Sequence, residues 1–417
     1  MSWFCGKFGL IVLFISMCCL YILSFYFDLR FKNVLNFKSN QMINHNMYAQ
    51  RLRDHKMFKK ILFWNGMFGN KNFYFGDDDI FKNCQFNECY ATYDRSFTDV
   101  ENFDAILFHG VELNENDLPK ERNIKQRYVF VNLESPENRP ITNDLFENYF
   151  NDTMTYRLDS DIVWPYGLVR DLKTNKIVAP SIDIVWDFPN NNDDKSNKLS
   201  SVYHLKDDIM IANKKKEIAW LVSNCPAKSG RLEYVKELSK YISVDIYGLC
   251  GDDQTCPHTR NCFKDIIEPQ YYFYLSFENS LCQDYVTEKL YNPLRYNILP
   301  IVYGGANYSQ FVPKDSYIDA LNFDSPETLA IYLKRLITNT KEYREYFRWK
   351  KHYRIEDSTD NVACSLCKFL HTERKINTYS RLSNWYSRNK CPLHKLLNST
   401  KYVTKMLLNI KTYNKTN

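Results

Sequence analysis

The chain has 417 residues, with 55 Lys and Arg against 49 Asp and Glu, a net charge of +6 and 13 cysteines. That length holds two core-forming domains, and a 44% hydrophobic content excludes an intrinsically disordered chain. The positive balance is mild and diffuse, with no basic-aromatic repeat, which argues against nucleic acid and suits small anionic ligands.

Residues 8–27 carry no charge and are mostly apolar, about the ~20 residues that a membrane-spanning helix needs. A cleaved signal peptide has a shorter apolar part, ~7–15 residues, ending in small residues. This segment ends Ser24-Phe25-Tyr26-Phe27, an aromatic belt rather than a cleavage site. We expect an uncleaved anchor, with residues 1–7 as a cytoplasmic tail and the polar residues 28–59 as a stem. Flanking charge opposes a lumenal C-terminus, since Arg30 and Lys32 follow the segment and only Lys7 precedes it. The glycosylation triplets at Asn151, Asn307, Asn398 and Asn414 all follow the anchor and, with the cysteines, favour a lumenal body.

Residues 60–186 read as a first α/β domain. K-I-L-F-W-N from Lys60, D-A-I-L-F-H from Asp104 and R-Y-V-F-V-N-L from Arg127 are short apolar runs, expected as buried strands. Glu134 follows the last run in N-L-E-S-P-E, at a carboxyl end, where α/β sheets display reactive groups. Pro136 keeps Ser135 extended and out of a helix. Glu134 is either a general base or a solvated loop carboxylate; His109, in F-H-G, is a second candidate base, or a structural histidine. Asp159-Ser160-Asp161, within T-Y-R-L-D-S-D-I-V-W-P-Y-G, has a D-x-D spacing that can hold a hard cation. Asp77-Asp78-Asp79 matches that pattern equally well, and we read both as solvated or capping carboxylates.

The Asn- and Asp-rich stretch from Asp187 opens a linker, residues 187–213. A second domain, residues 214–352, starts with the strand E-I-A-W-L-V-S from Glu217. A turn leads to Arg231 and then Leu232, Val235 and Leu238 at helical spacing, with Ser229 as a possible cap. The guanidinium of Arg231 either holds a diphosphate bidentately or faces water. Val244 to Tyr247 is the next strand. Y-Y-F-Y-L-S-F from Tyr271 is then a buried strand; Val286, Leu290 and Leu294 mark a helix; and Ile298 to Tyr303 is a second strand, closed by Gly304-Gly305. This is a right-handed βαβ unit whose strand ends are a ligand site. Glu278, Asn279, Tyr285, Glu288 and Lys289 fall there, near a helix start that favours anions. They form either a nucleotide-diphosphate site, with Glu288 on ribose hydroxyls, or the ordinary surface of a core unit. A strand from Ser316 to Leu321, a helix begun by Ser325-Pro326-Glu327 and an aromatic-rich helix from Lys341 to Lys351 complete the domain.

Residues 353–417 read as a cysteine-containing tail. Cys364-Ser-Leu-Cys367 and Cys391-Pro-Leu-His394 mimic a zinc set, but the interval is long and disulfides suit an oxidising compartment. Cys225 and Cys282 are a plausible pair.

F-E-N-S-L-C-Q-D-Y-V-T-E-K-L-Y-N, from Phe277, resembles the signature of the α1,3/4-fucosyltransferases, inverting enzymes that use GDP-fucose. N-L-E-S-P, the segment around Asp159, S-N-C-x-A-x-S-G-R-L-E-Y-V and E-Y-F-x-W-K resemble that family too, so the likeness spans roughly residues 60–370. It implies an α/β fold of two Rossmann-like domains facing a cleft (GT-B type), behind an N-terminal transmembrane helix. Asn279, Tyr285, Glu288 and Lys289 would contact the donor, Arg231 would grip its diphosphate, and Glu134 would be the general base. The C-terminal Cys364 and Cys367 would pair with Cys84 and Cys89. The family works without a bound metal, so no cofactor is required and a divalent cation is at most stimulatory. The expected protein is a single-pass type II Golgi membrane enzyme with a lumenal catalytic portion. It would move L-fucose from GDP-fucose to the 3-position of GlcNAc in glycoprotein glycans, on an N-glycan core or a LacNAc-type antenna. Loops such as residues 64–79 would set the acceptor. The alternatives are a non-catalytic glycan-binding relative and a transferase for another sugar nucleotide.

Overall fold

The computed structural model describes residues 58–76, 79–141, 144–188, 211, 213–251, 256, 261–387 and 390–391. The expected tail, anchor and stem of residues 1–57, most of the linker, Asp77, Asp78, His394, Asn398 and Asn414 lie outside the described residues. Among the described residues, no helix is long and apolar enough to cross a membrane.

The first sheet holds β1 (Lys59–Phe63), β2 (Cys89–Thr92), β3 (Ala105–His109), β4 (Arg127–Asn132), β5 (Asp152–Thr155) and β6 (Ile162–Val163). All are parallel, in the order β2-β1-β3-β4-β5-β6. Every residue of β3 and β4 is buried, which is why these central strands read as continuous apolar runs. A short antiparallel pair follows, β7 (Leu168–Asp171) and β8 (Ile177–Ala179).

The second sheet is also parallel, in the order β10-β9-β11-β12-β13. It comprises β9 (Lys216–Leu221), α1 (Arg231–Leu238), β10 (Val244–Tyr247), β11 (Tyr271–Phe277), α2 (Glu288–Leu294), β12 (Leu299–Tyr303) and β13 (Ile318–Asp319). Helices α3 (Pro326–Thr338) and α4 (Thr340–Glu345) follow. Trp220, Phe273 and Phe277 on one face pack against Tyr234, Val235 and Leu238 of α1 and Leu329, Leu333 and Leu336 of α3. The Ser325 side chain closes a capping box with Thr328, as the Ser-Pro start suggests. The expected strand from Ser316 shortens to two residues because 3-10 turns flank it, and the expected helix from Lys341 breaks after Glu345 into a 3-10 turn.

The described residues from Tyr353 to Cys391 return to the first half. β14 (Tyr353–Glu356) pairs with β7 of the first half. α5 (Thr359–Thr372) buries Val362, Ala363, Leu366 and Leu370 against Ile61, Leu107 and Val129, on one face of the first sheet. α6 (Leu382–Ser387) buries Leu382 and Tyr386 against Phe108, Phe130 and Phe150, on the other face. Disulfides Cys84–Cys364 and Cys89–Cys367 fasten α5 to the β2 region, the pairing that the family likeness implies. The expected Cys225–Cys282 pair is corrected: Cys225 bonds Cys250, and Cys282 bonds Cys391. β9 and β10 are neighbours with Leu221 opposite Tyr247, so Cys225 and Cys250 lie just beyond adjacent strand ends. Cys256 pairs with Cys262.

Candidate active site

The loops at the carboxyl ends of β4 and β11 meet. Ser135 Oγ donates to Ser280 Oγ across the two halves at 2.7 Å, and Lys228 Nζ donates to the Glu137 carbonyl at 2.6 Å. Glu134 lies at this junction, partly exposed. Its Oε2 accepts from the Tyr285 hydroxyl at 3.5 Å and from Asn138 Nδ2 at 3.4 Å. Tyr285 is buried with its ring on edge to Tyr156 at 5.0 Å, and burial holds its hydroxyl far above the ordinary phenol range. The hydroxyl is therefore a standing donor, and the Glu134 carboxylate is its acceptor.

Glu278 is 1% exposed, and its Oε1 accepts both the Thr287 N–H at 2.8 Å and the Thr287 hydroxyl at 2.9 Å. Thr287 caps α2 by accepting the Lys289 N–H. Lys289 Nζ then sits 2.9 Å from Glu288 Oε1, 3.0 Å from Thr287 Oγ1 and 3.5 Å from Glu278 Oε2. Burial raises the Glu278 carboxyl above its ordinary value, and the Lys289 charge opposes that. Burial works against the Lys289 charge too, yet the Glu278 and Glu288 carboxylates hold its pKa above the usual range. The signature thus presents one fixed cation beside an exposed carboxylate, Glu288.

Arg231 is buried on the first turn of α1. Its Nη1 donates to the Phe277 carbonyl at 2.7 Å and its Nη2 to the Asn224 carbonyl at 2.8 Å. Among the described residues, neither its Nε nor Asn279 Oδ1 has a hydrogen-bond partner. Both atoms lie at the edge of the second sheet, near the signature loop. Ser229 does not cap α1. Its hydroxyl donates to the Glu278 carbonyl at 2.8 Å, and the cap position falls to Gly230 at φ 69°, a conformation that favours glycine. That bond ties the Arg231 turn to the signature loop.

His109 is not placed as a base. It is fully buried, with Phe68 and Phe73 rings on edge to it at 4.8 and 6.1 Å, and burial pushes its imidazole down to about 4. The Asp159 and Asp161 carboxylates are taken up by protein groups. Asp161 Oδ2 accepts from the Thr153 N–H, the Thr153 hydroxyl and the Tyr379 hydroxyl, and Asp159 pairs with the buried Arg157. Asn151 is corrected as a glycosylation site. It is 4% exposed, its Nδ2 donates to the Asn377 carbonyl at 2.8 Å, and its Oδ1 accepts the Tyr128 N–H at 2.8 Å, which leaves a glycan no room. Asn307 is exposed. It lines a cavity of about 640 Å³ beside β13, together with Tyr308, Lys314, Tyr317 and Asp319, and none of the residues assigned to donor binding lines that cavity. Sequence reasoning missed Tyr166, whose hydroxyl donates to the Leu133 carbonyl at 2.6 Å, and Tyr386, whose hydroxyl donates to the Glu134 carbonyl. A buried tyrosine looks like any core residue until its hydroxyl's partner is seen.

Two parallel sheets joined at their carboxyl edges, with an acid from one half against a tyrosine of the other's signature loop, have the layout of a two-domain α/β enzyme. Residues 211–385 match the family described as glycosyltransferase family 10 (fucosyltransferase) C-term, and residues 56–167 match fucosyltransferase, N-terminal. Alpha-(1,3)-fucosyltransferase C of Drosophila melanogaster is 34% identical, over 85% of this chain and 83% of that protein. Glycoprotein 3-alpha-L-fucosyltransferase A of the same species is 34% identical, over 84% of this chain and 65% of that protein. The Mus musculus 4-galactosyl-N-acetylglucosaminide 3-alpha-L-fucosyltransferase 9 is 32% identical, over 72% of this chain and 74% of its own. A crystal structure of an alpha1,3-fucosyltransferase aligns with a TM-score of 0.48 at 17% identity, over 78% of this chain and 94% of its own. The chain belongs to glycosyltransferase family 10, the fucosyltransferases.

Proposed function

We propose that this enzyme transfers L-fucose from GDP-fucose to the 3-hydroxyl of a GlcNAc unit, with inversion, and that Glu134 is the general base. The observation that carries the reading is the approach of the Glu134 carboxylate, from the first half, to within 3.5 Å of the Tyr285 hydroxyl in the donor signature. The acceptor O–H proton passes to Glu134 as its oxygen bonds to the sugar's anomeric carbon, and the bond from that carbon to the diphosphate breaks. Lys289 and Arg231 offset the charge that builds on the departing GDP. Arg231 Nε and Asn279 Oδ1, both without a partner among the described residues, are donor and acceptor for the nucleotide, and Glu288 accepts from ribose hydroxyls. These cations serve the role that a metal fills in other transferases, so a divalent cation is at most stimulatory.

The acceptor is a glycoprotein glycan, either an N-glycan core or a LacNAc-type antenna. The names of the relatives divide along that line, one specifying glycoprotein and another 4-galactosyl-N-acetylglucosaminide. Phe68 and Tyr74, 48% and 54% exposed on the loop after β1, are the side chains we assign to acceptor choice. Residues 8–27 would anchor the enzyme in the Golgi membrane as a single-pass type II protein. The test is Glu134→Gln, which keeps the shape and removes the base. It should retain GDP affinity and lose turnover by about 10²–10⁴-fold. A fully active variant would refute the assignment.

A further inference from the structure

The backbone of Glu134 is held from both sides. Asn132 Oδ1 accepts its N–H at 3.0 Å, and the Tyr386 hydroxyl donates to its carbonyl. Asn132 Nδ2 donates to the same Tyr386 oxygen at 2.8 Å, so the two side chains form a closed clasp around one residue. Tyr386 is fully buried, with its ring on edge to Phe130 of β4 at 5.4 Å. The next residue back, Trp385, is gripped as well: its carbonyl accepts from Arg157, whose guanidinium lies 4.0 Å from the indole centre. Further along, the Lys390 carbonyl accepts the Gln283 N–H at 2.6 Å, and Cys391 is bonded to Cys282, three residues before Tyr285. One C-terminal strap therefore touches both the residue that carries the base and the loop that faces it.

We propose that Tyr386 is a positioning residue for the reaction, fixing the direction of the Glu134 carboxylate by clasping its backbone carbonyl. The inference rests on Glu134 being the general base. A strand-end loop has no ladder to hold it, and the carbonyl of Glu134 lies beyond the last paired residue of β4. A base must meet the attacking hydroxyl within a few tenths of an ångström, and about 1 Å of misplacement costs on the order of 10²-fold in rate. Burial keeps the Tyr386 hydroxyl far above the ordinary phenol range, so it stays a donor throughout the working pH range.

The test is Tyr386→Phe in the full chain, beside Glu134→Gln and the double variant. The phenylalanine keeps the ring against Phe130 and removes the clasp. The expected result is a fall in kcat of about 10–100-fold with GDP affinity, measured by calorimetry with GDP itself, unchanged. In the double variant the hydroxyl should no longer matter, so its kcat should equal that of Glu134→Gln. Unchanged kcat in Tyr386→Phe, a loss of GDP affinity matching the loss of kcat, or multiplied losses in the double variant would each overturn the proposal. An active Glu134→Gln would instead remove the base assignment on which it stands.

Discussion

Lys289→Met tests whether the signature lysine holds a buried carboxylate charged. Glu278 is 1% exposed, and Lys289 Nζ lies 3.5 Å from its Oε2. At an effective dielectric near 20 that attraction is about 5 kcal/mol. Without the lysine, the donors to Glu278 come from Thr287 alone among the described residues, and the folded protein must take up a proton instead. Keeping a carboxyl protonated costs about 1.4 kcal/mol for each pH unit above its unfolded value. Near the ordinary value of 4.5 that proton is taken up at little cost, and the loss grows as pH rises, with the lost attraction as its ceiling. The sign follows from the raised folded pKa. The loss is absent below the unfolded value and grows as pH rises towards the folded one. Glu278 is already raised in the parent protein, so part of this slope is shared. We expect the stability gap between Lys289→Met and the parent to widen by about 2–4 kcal/mol from pH 5 to pH 8. Scanning calorimetry at both pH values reads it as a melting-temperature gap several degrees larger at pH 8. A gap that is constant, or larger at pH 5, would refute the reasoning.

His109 is held neutral, so the parent should lose stability as pH falls from 6.5 towards about 4, by up to about 3 kcal/mol. His109→Phe should flatten that slope in acid melts; an equally steep slope sinks the argument. The Cys84–Cys364 and Cys89–Cys367 bridges span 280 and 278 residues but lie side by side. Either one closes the large loop, so removing one should cost about 2–3 kcal/mol and removing both about 8 kcal/mol. Additive losses in denaturant melts would contradict that redundancy. In the chain made through a secretory pathway, Asn307→Gln should remove one glycan, seen as a mass step. Asn151→Gln should leave the glycan mass unchanged and lower stability by about 1–3 kcal/mol through unpaired Tyr128 and Asn377 backbone groups. A glycan lost with Asn151 would count against the buried placement.

The central strands were legible because their burial on both faces forces uninterrupted apolar runs, as in A-I-L-F-H of β3 and Y-Y-F-Y-L-S-F of β11. Edge strands gave no such signal. β2 (C-Y-A-T) has one buried residue of four, and β6 is only two residues long. β5 reads D-T-M-T, polar although every residue is buried, because its Asp152 pairs with Arg127 at 2.9 Å and its Thr153 with Asp161 at 2.8 Å. The same buried polarity made Asn151 look like a surface site. The donor loop was readable since its residues are contiguous from Phe277 to Lys289. The groups that hold Leu133 and Glu134 in place were not, because Tyr166 and Tyr386 arrive from 33 and 252 residues away. Periodicity carries no record of such distant partners.

The return of the chain to its first sheet fixes an order of assembly. Residues 216–345 supply all strands of the second sheet and the helices α1 to α4, so a growing polypeptide can pair that sheet and cover one face of it as soon as they emerge. The first half emerges earlier but must wait for α5 and α6 to shield its two faces, so its apolar surface is a standing client for chaperones until residues 359–387 have been made. A stop codon just after Glu356 would therefore strip both covers from the earlier-made half, while the later one would lose only its Cys282–Cys391 bridge.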